Sequence, residues 1–108
     1  MKRGDIVAVS LPGDYGKPRP ALVIQSNLFD IHPSVTILPI TTELREAPLF
    51  RIDIEPTKEN GLLKRSQIMV DKTHTIQREK LKARFGKVDD ILMLTVNRAL
   101  AMFLGFGS

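Results

Sequence analysis

Apolar and polar residues alternate in short segments through the first three quarters of the chain, a pattern typical of β-strands. The alternation predicts five strands, over residues 5–11, 20–26, 35–40, 49–55 and 66–76. Turns rich in glycine, proline and asparagine separate these segments, as expected for short connections within a sheet. This part of the chain is therefore predicted to be mainly β.

Three of the strands support a more specific prediction. Segment 20–26 contains a nearly continuous apolar run, which indicates a central strand. Pro39 cannot donate to a strand ladder, so we expect strand 35–40 to lie at an edge or to bulge there. Strand 49–55 alternates cleanly and is predicted to be half exposed. Its two faces are Phe50, Ile52 and Ile54 on one side, and Arg51, Asp53 and Glu55 on the other.

The other connections are less regular. Residues 27–34 are predicted to form a loop with one helical turn. Residues 77–88 are ambiguous, and they are compatible with a helical turn followed by a short strand from Phe85.

The clearest helix spans residues 89–105. Asp89 is a suitable N-cap, and Gly105 is a natural C-terminal stop. The helix is apolar nearly all round, interrupted chiefly by Thr95, Asn97 and Arg98. A helix of this kind needs burial on more than one side. This leaves open whether it is sunk in its own core or is covered partly by a second subunit.

Short strands, Gly/Pro turns and one terminal helix favour a mainly β (α+β) fold with a small, curled, barrel-like sheet. The 108 residues suit one domain, over residues 1–108. Hydrophobic residues make up 43% of the chain, enough for a packed core. Cysteine is absent, which excludes disulfides and thiolate metal sites.

The net charge and the N-terminal sequence indicate which classes of partner and which cellular location to expect. Lys and Arg number 16 against 12 Asp and Glu, a net charge of +4. This charge fits either simple solubility or an anionic partner, such as nucleic acid or an acidic protein segment. Gly4 and Asp5 follow the basic N-terminus where a signal peptide would be apolar, and no apolar run has membrane-spanning length. We therefore expect a cytoplasmic protein without a membrane partner.

Common cofactor motifs do not occur in the sequence: it has no Walker loop, no Rossmann glycine pattern and no HExxH. The two histidines, His32 and His74, lack ligand spacing and are expected to be surface or hydrogen-bonded residues. Asp89 and Asp90 are adjacent, so on a helix they suit capping better than metal binding. We predict neither a metal nor another cofactor.

The most distinctive local feature is an arginine between two prolines, Pro18-Arg19-Pro20. The prolines fix their own φ angles and favour extended geometry in the residues before them. Arg19 thereby offers a pre-oriented planar fork suited to a phosphate. Lys17 is a second cation, and Tyr15 has a ring that could stack on a base. The simpler interpretation is the start of a strand with an ion-paired arginine.

Further candidates follow the later strands. Thr41 and Thr42 supply hydroxyls after the third strand, and Asp71 and Lys72 alternate on the fifth. Each also has a simple structural interpretation as a turn residue or a salt-bridge partner. If the substrate were RNA, no metal would be required, because a 2′-OH can attack the neighbouring phosphate. A base and a fixed positive charge would then assist, and Arg19 is the natural charge stabiliser.

The stretches KRGDIVAVSL, KPRPALVIQSNLF, VTILPIT and NGLLKRSQIMVDKTHTI together resemble the MazF/PemK family of toxin endoribonucleases. The most specific elements are Arg-Gly-Asp-Ile, Arg-Pro-Ala-Leu-Val-Ile and Ser-x-x-x-Val-Asp-Lys. The resemblance implies an SH3-like, CcdB/PemK-like β-barrel with a C-terminal α-helix, forming a homodimer with an RNA groove at its interface.

The same resemblance implies metal-independent cleavage of single-stranded mRNA, leaving a 2′,3′-cyclic phosphate and a 5′-OH and inhibiting translation and growth. It also implies a cognate antitoxin whose flexible acidic segment occupies the groove. The toxin–antitoxin complex would bind operator DNA through the antitoxin.

The resemblance assigns catalysis to Arg19 and Thr41. In the PemK-like branch an arginine and an aspartate act as acid and base; the aspartate matches Asp71, but Met69 replaces that arginine. We therefore favour the Arg19/Thr41 scheme. The expected RNA-binding residues are Tyr15, Lys17, Thr42, Asp71 and Lys72.

The loop 13–16 is shorter than in many family members, so its RNA contacts are not transferred. Two alternatives remain open from the sequence. One is a gyrase-poison-like toxin that acts by binding a protein on the same fold, and the other is a non-catalytic RNA-binding barrel.

Overall fold

The structure, a computed structural model, describes residues 1–106. Seven strands and one α-helix follow the predicted order along the chain. They are β1 Asp5–Val9, β2 Arg19–Val23, β3 Ser34–Thr41, β4 Arg51–Ile54, β5 Ser66–Met69, β6 His74–Gln77, β7 Arg84–Lys87 and α1 Asp90–Leu104. Short 3₁₀ turns at Asn27–Phe29 and Arg78–Lys80 confirm the helical turns expected in those two connections.

All strand pairs are antiparallel, and the sheet runs in the order β4-β5-β3-β2-β1-β7. β6 is paired with the first half of β3, at Ser34 to Ile37. β5 is paired with the end of β3, at Ile40 and Thr41. Because β3 changes partner along its length, the sheet curls into a half-barrel, which confirms the predicted fold class.

Two apolar clusters cover the two faces of the sheet. One contains Leu22 of β2 and is completed by Met93 and Val96 of α1. The other contains Ala21 and Val23 of the same strand. β2 is therefore buried on both faces between β1 and β3, as its apolar run predicted.

The predicted fifth strand, 66–76, is wrong in one respect: it is two strands, β5 and β6, separated by a turn at residues 70–73. The Lys72 N–H donates to Met69 O at 3.2 Å within this turn. The break arises because the two strands pair with different parts of the curled β3. Asp71 and Lys72 consequently lie in the turn and do not alternate on a strand.

The prediction that Pro39 marks an edge or a bulge is also corrected, since β3 lies inside the sheet. Ile24 N–H donates to Thr36 O at 3.1 Å, and bonded pairs alternate along an antiparallel ladder. By that alternation the nitrogen of Pro39, opposite Ala21, faces away from β2. It falls between the residues that pair with β6 and those that pair with β5, where no ladder bond is needed.

Arg51 is the third departure from the sequence pattern. It was expected on the exposed face of β4, but only 8% of its surface is accessible. The connection after β3 folds over that face, where Arg51 Nη1 donates to Glu43 O at 3.0 Å and Gln67 Oε1 at 3.1 Å. A strand pattern cannot reveal such cover, because it comes from a non-local segment.

Both caps of α1 are confirmed. The Asp89 carboxylate accepts from Leu92 N–H at 2.7 Å, and Gly105 adopts φ 82° in the left-handed region. One face of α1 packs on the sheet, while the following apolar side chains are left accessible: Ile91, Leu94, Met102, Phe103 and Leu104. The helix is therefore not sunk in its own core.

Within residues 1–106, no helix combines the length and the hydropathy that crossing a bilayer requires.

Candidate functional site

An open cleft of about 470 Å³ lies where β2, β3, β5 and β6 come together. Its polar lining is formed by Asp14, Arg19, Thr41, Thr42, Glu43, Lys72 and His74. We call it the Arg19 cleft. The two residues expected to be catalytic, Arg19 and Thr41, are thus brought together from different strands.

Strand register explains why Arg19 and Thr41 meet. Ala21 of β2 is paired with Pro39 of β3, so these two residues share a face of the sheet. Arg19 and Thr41 lie two residues further along their strands, and a strand repeats its facing every two residues. Both side chains therefore emerge on the same face at the same end of the β2–β3 pair.

Arg19 is held at the first position of β2, where it is paired with Val9. Its Nε lies 3.6 Å from Asp14 Oδ1, and 48% of the arginine side chain is accessible. The ion pair predicted by the simple interpretation therefore exists. It engages only the Nε side of the guanidinium, since no other ion pair or hydrogen bond of the Arg19 side chain occurs within the described chain.

The loop that carries Asp14 consists of two tight turns. Asp14 N–H donates to Leu11 O at 3.1 Å, and Lys17 N–H donates to Asp14 O at 2.9 Å. Tyr15 sits in the second turn at φ 53°, a left-handed conformation that is unfavourable for a residue with a side chain. Its side chain is fully exposed, so packing does not explain the choice of tyrosine. Neither Tyr15 nor Lys17 lines the Arg19 cleft.

Thr41 ends β3, and its side chain is oriented by the backbone. The Oγ1 atom accepts from Glu43 N–H at 3.0 Å, which leaves the hydroxyl hydrogen available as a donor. Thr42 follows at the rim of the cleft. A preoriented hydroxyl facing a guanidinium is an arrangement suited to binding the oxygens of a phosphate.

The turn between β5 and β6 supplies the opposite wall. Lys72 lines the cleft as predicted, whereas Asp71 does not. Asp71 Oδ1 is buried and has no hydrogen-bond partner within residues 1–106. Sequence reasoning treated His74 as an ordinary surface residue, but it lines the cleft at the start of β6. Asp14 was likewise missed as a cleft residue. Only the split of the predicted fifth strand, invisible in the sequence pattern, brings His74 there.

The other histidine behaves as predicted. His32 Nδ1 accepts from Ser34 N–H at 3.0 Å, a local hydrogen bond in the connection before β3.

The sequence profile of the PemK-like, MazF-like toxins of type II toxin–antitoxin systems matches residues 2–104. The chain belongs to this toxin family. The resemblance based on its short motifs is thereby confirmed over nearly the full chain.

Individual relatives agree with the family assignment. The probable endoribonuclease MazF of Mycolicibacterium smegmatis is 47% identical over 106 residues, covering 97% of each chain. The endoribonuclease EndoA of Bacillus subtilis is 29% identical over 110 residues, covering 96% of this chain and 94% of EndoA.

Solved structures of the family share the fold. A mycobacterial endoribonuclease in complex with its cognate antitoxin matches with a TM-score of 0.84 at 24% identity, covering 100% of this chain and 98% of that one. A Deinococcus radiodurans MazE–MazF complex matches with a TM-score of 0.78 at 16% identity, covering 99% and 97%. These likenesses establish the half-barrel with its terminal helix as the family fold.

Proposed function

We propose that the protein is the toxin of a type II toxin–antitoxin pair and that it cleaves single-stranded mRNA in the Arg19 cleft. The family and the names of its relatives support an endoribonuclease toxin. The observation that carries the residue assignment is the convergence of Arg19 and Thr41 in one cleft.

In the proposed reaction the 2′-oxygen of one nucleotide attacks the adjacent phosphorus. A bond forms between that oxygen and phosphorus, the bond from phosphorus to the 5′-oxygen breaks, and the products are a 2′,3′-cyclic phosphate and a 5′-OH. The Arg19 guanidinium and the Thr41 hydroxyl stabilise the charge that develops on the phosphoryl oxygens. This reaction needs no metal.

A base must take the proton of the 2′-OH, and the departing 5′-oxygen takes a proton from water that reaches the open cleft. His74 is our candidate for the base, because its imidazole lines the cleft and imidazole is the side chain most often used as a general base. Within residues 1–106 its ring forms no hydrogen bond that would tie up a nitrogen. Lys72, on the same wall, is proposed to contact the RNA backbone, as are Lys17 and Thr42.

The two remaining residues, Tyr15 and Asp71, are given different roles. Tyr15 is fully exposed at the tip of the loop beside Arg19, where its ring can stack on a base that extends beyond the cleft. Asp71 is proposed to shape the turn that carries Lys72, since its position outside the cleft lining does not favour direct contact.

The proposed protein partners follow from charge and exposure. The relatives from a mycobacterium and from D. radiodurans are seen with their antitoxins. An acidic antitoxin segment suits a chain of net charge +4. The exposed apolar side of α1 supports a homodimer. We place the protein in the cytoplasm with its mRNA substrate, with operator DNA bound through the antitoxin.

The decisive experiment incubates the purified protein with a long single-stranded RNA in EDTA and maps the ends by sequencing. We expect discrete cuts bearing 2′,3′-cyclic phosphate and 5′-OH ends. Arg19→Ala should lose cleavage by at least about 10²-fold, while Arg98→Ala, an exposed helix variant outside the cleft, serves as the control.

Full cleavage by Arg19→Ala would overturn the residue assignment. Tight RNA binding without cutting would instead favour the non-catalytic barrel. DNA breaks in intact cells without RNA loss would favour the gyrase-poison alternative.

A further inference from the structure

A second open cleft, of about 520 Å³, lies beside the Arg19 cleft. It is lined by the connection 44–48 together with Arg51, Asp53, Arg65 and Gln67. We call it the Arg51 cleft. In the β4–β5 register Arg51 is paired with Met69, which itself lines the Arg19 cleft. The two clefts are therefore neighbours on one face of the sheet.

Arg51 forms the floor of this cleft and carries an unbalanced charge. Only 8% of its surface is accessible, yet no carboxylate lies within ion-pair distance of it among residues 1–106. Both acceptors of its Nη1 are neutral, namely Glu43 O and Gln67 Oε1. Its Nε is buried without any hydrogen-bond partner. A buried cation without a counter-ion is costly, unless an anion joins it.

The neighbouring charged groups do not compensate Arg51. Arg65 pairs with Asp53 at 3.3 Å and with Glu55 at 3.0 Å. The second oxygen of Asp53 accepts from Gln67 Nε2 at 2.8 Å. Asp53 is thus engaged with other donors, and neither it nor Glu46, the other carboxylate of the lining, lies within ion-pair distance of Arg51 among residues 1–106.

The free donor of Arg51 faces accessible space. Its Nη2 forms no hydrogen bond within residues 1–106, yet it is not among the fully buried atoms that lack a partner, so it reaches solvent. Gln67 and the Glu43 carbonyl fix the guanidinium through Nη1. A planar fork held in one orientation is well suited to an anionic oxygen, because little side-chain entropy is lost on binding.

We propose that the Arg51 cleft binds a backbone phosphate of the RNA strand, at a position a few nucleotides away from the phosphate that is cut. The inference rests on the proposed RNA cleavage in the Arg19 cleft. β2 and β4 are separated by β3 and β5, so three strand spacings of about 4.8 Å separate the two strands, and Arg51 lies two residues from the position on β4 that is level with Arg19. A strand anchored at Arg19 can reach Arg51 over the same face.

A phosphate fits this site better than an isolated small anion, because a polynucleotide held in the first cleft brings its next phosphates along at no further cost of association. The contact would add affinity and fix the register of the strand, while carrying no base information itself.

The test measures binding to an RNA made uncleavable by a single 2′-deoxy nucleotide at the cut site. Its phosphates are replaced one at a time by neutral methylphosphonates. With the wild-type protein we expect one sensitive position outside the scissile phosphate, where affinity falls about 10- to 100-fold. In Arg51→Met the same substitution should have no effect on the already weakened binding. Arg51→Lys, which keeps the charge but loses the fork, should retain part of the sensitivity.

Arg78→Met is the matched control, because within residues 1–106 the hydrogen bonds of the Arg78 side chain go to the backbone carbonyls of Phe29 and His32, and Arg78 lines neither cleft. It should keep the wild-type pattern. If the wild type shows no sensitive position beyond the scissile phosphate, or if that position stays sensitive in both Arg51 variants, the proposal is overturned. If Arg51→Met binds an acidic peptide more weakly than the wild type but keeps the wild-type pattern of methylphosphonate sensitivity, the proposal is also overturned. The Arg51 cleft would then be a site for a protein partner.

A failure of the Arg51 proposal can be told apart from a failure of the proposed RNA cleavage. Cleavage of unmodified RNA by the wild type tests the Arg19 cleft alone, whatever the methylphosphonate pattern shows.

Discussion

Gln67 lines the Arg51 cleft, and its removal tests how the connection after β3 is held in place. The side chain is 6% exposed and forms four hydrogen bonds. Its Oε1 accepts from Arg45 N–H at 3.0 Å and Arg51 Nη1 at 3.1 Å. Its Nε2 donates to Arg45 O at 2.9 Å and Asp53 Oδ1 at 2.8 Å. It thereby fastens the connection 43–47 to β5.

We predict that Gln67→Ala lowers the free energy of unfolding by about 2–3 kcal/mol. Four hydrogen bonds at about 1 kcal/mol each, one of them buried and three part-buried, set an upper value near 4 kcal/mol. Water can replace the hydrogen bonds to the Arg45 backbone, because Arg45 lies on an exposed connection, and the expected loss is therefore smaller. A domain with the usual stability of about 5–15 kcal/mol remains folded after this loss.

Urea unfolding followed by circular dichroism measures the change. We expect a lower midpoint with an unchanged slope, because the folded surface stays similar. RNA cleavage should also fall, since the released connection begins at Glu43, which lines the Arg19 cleft. Gln77→Ala is the matched control: this glutamine is exposed, its side chain forms no hydrogen bond within residues 1–106, and its removal should change the free energy of unfolding by less than about 0.5 kcal/mol. A change below about 0.5 kcal/mol for Gln67→Ala would refute the reasoning.

Three further changes test other parts of the molecule. His74→Gln should slow cleavage by about 10²–10⁴-fold with RNA affinity preserved; an unaltered single-turnover rate would remove His74 as the base. Gly86→Ala should destabilise the fold by about 3 kcal/mol or more, measured by urea unfolding, because a Cβ there would lie 2.1 Å from Asn60 O. Leu94→Lys, on the exposed side of α1, should convert a dimer to a monomer in light scattering, and a wild type that is already monomeric would contradict the proposed homodimer.

Much of this fold could be predicted from the sequence because its signals are local. Asp89 and Gly105 cap α1 through contacts within a few residues of each. The apolar run of β2 reports burial on both faces directly. The placement of Arg19 at a strand start also follows from its flanking prolines.

The departures share one physical cause, which is contact between segments distant in the chain. Arg51 is buried by the connection 43–47, although its own strand marks it as outward-facing. The same limit applies to His74, which reaches the Arg19 cleft only because β6 pairs with the first half of β3. Alternation along one strand contains no information about which other segment will cover it.

The change of partner along β3 is also what creates the Arg19 cleft. β5 leaves the β3 ladder after Ile68 and β6 joins it at His74, so the residues between them open a gap beside the middle of β3. Pro39 faces that gap and has no N–H group to leave unpaired there. β5 and β6 can therefore diverge beside Pro39 without leaving a buried N–H group unpaired. The separated edges carry Lys72 and His74 opposite Thr41, so the feature that curls the sheet into a half-barrel also supplies the walls of the proposed active site.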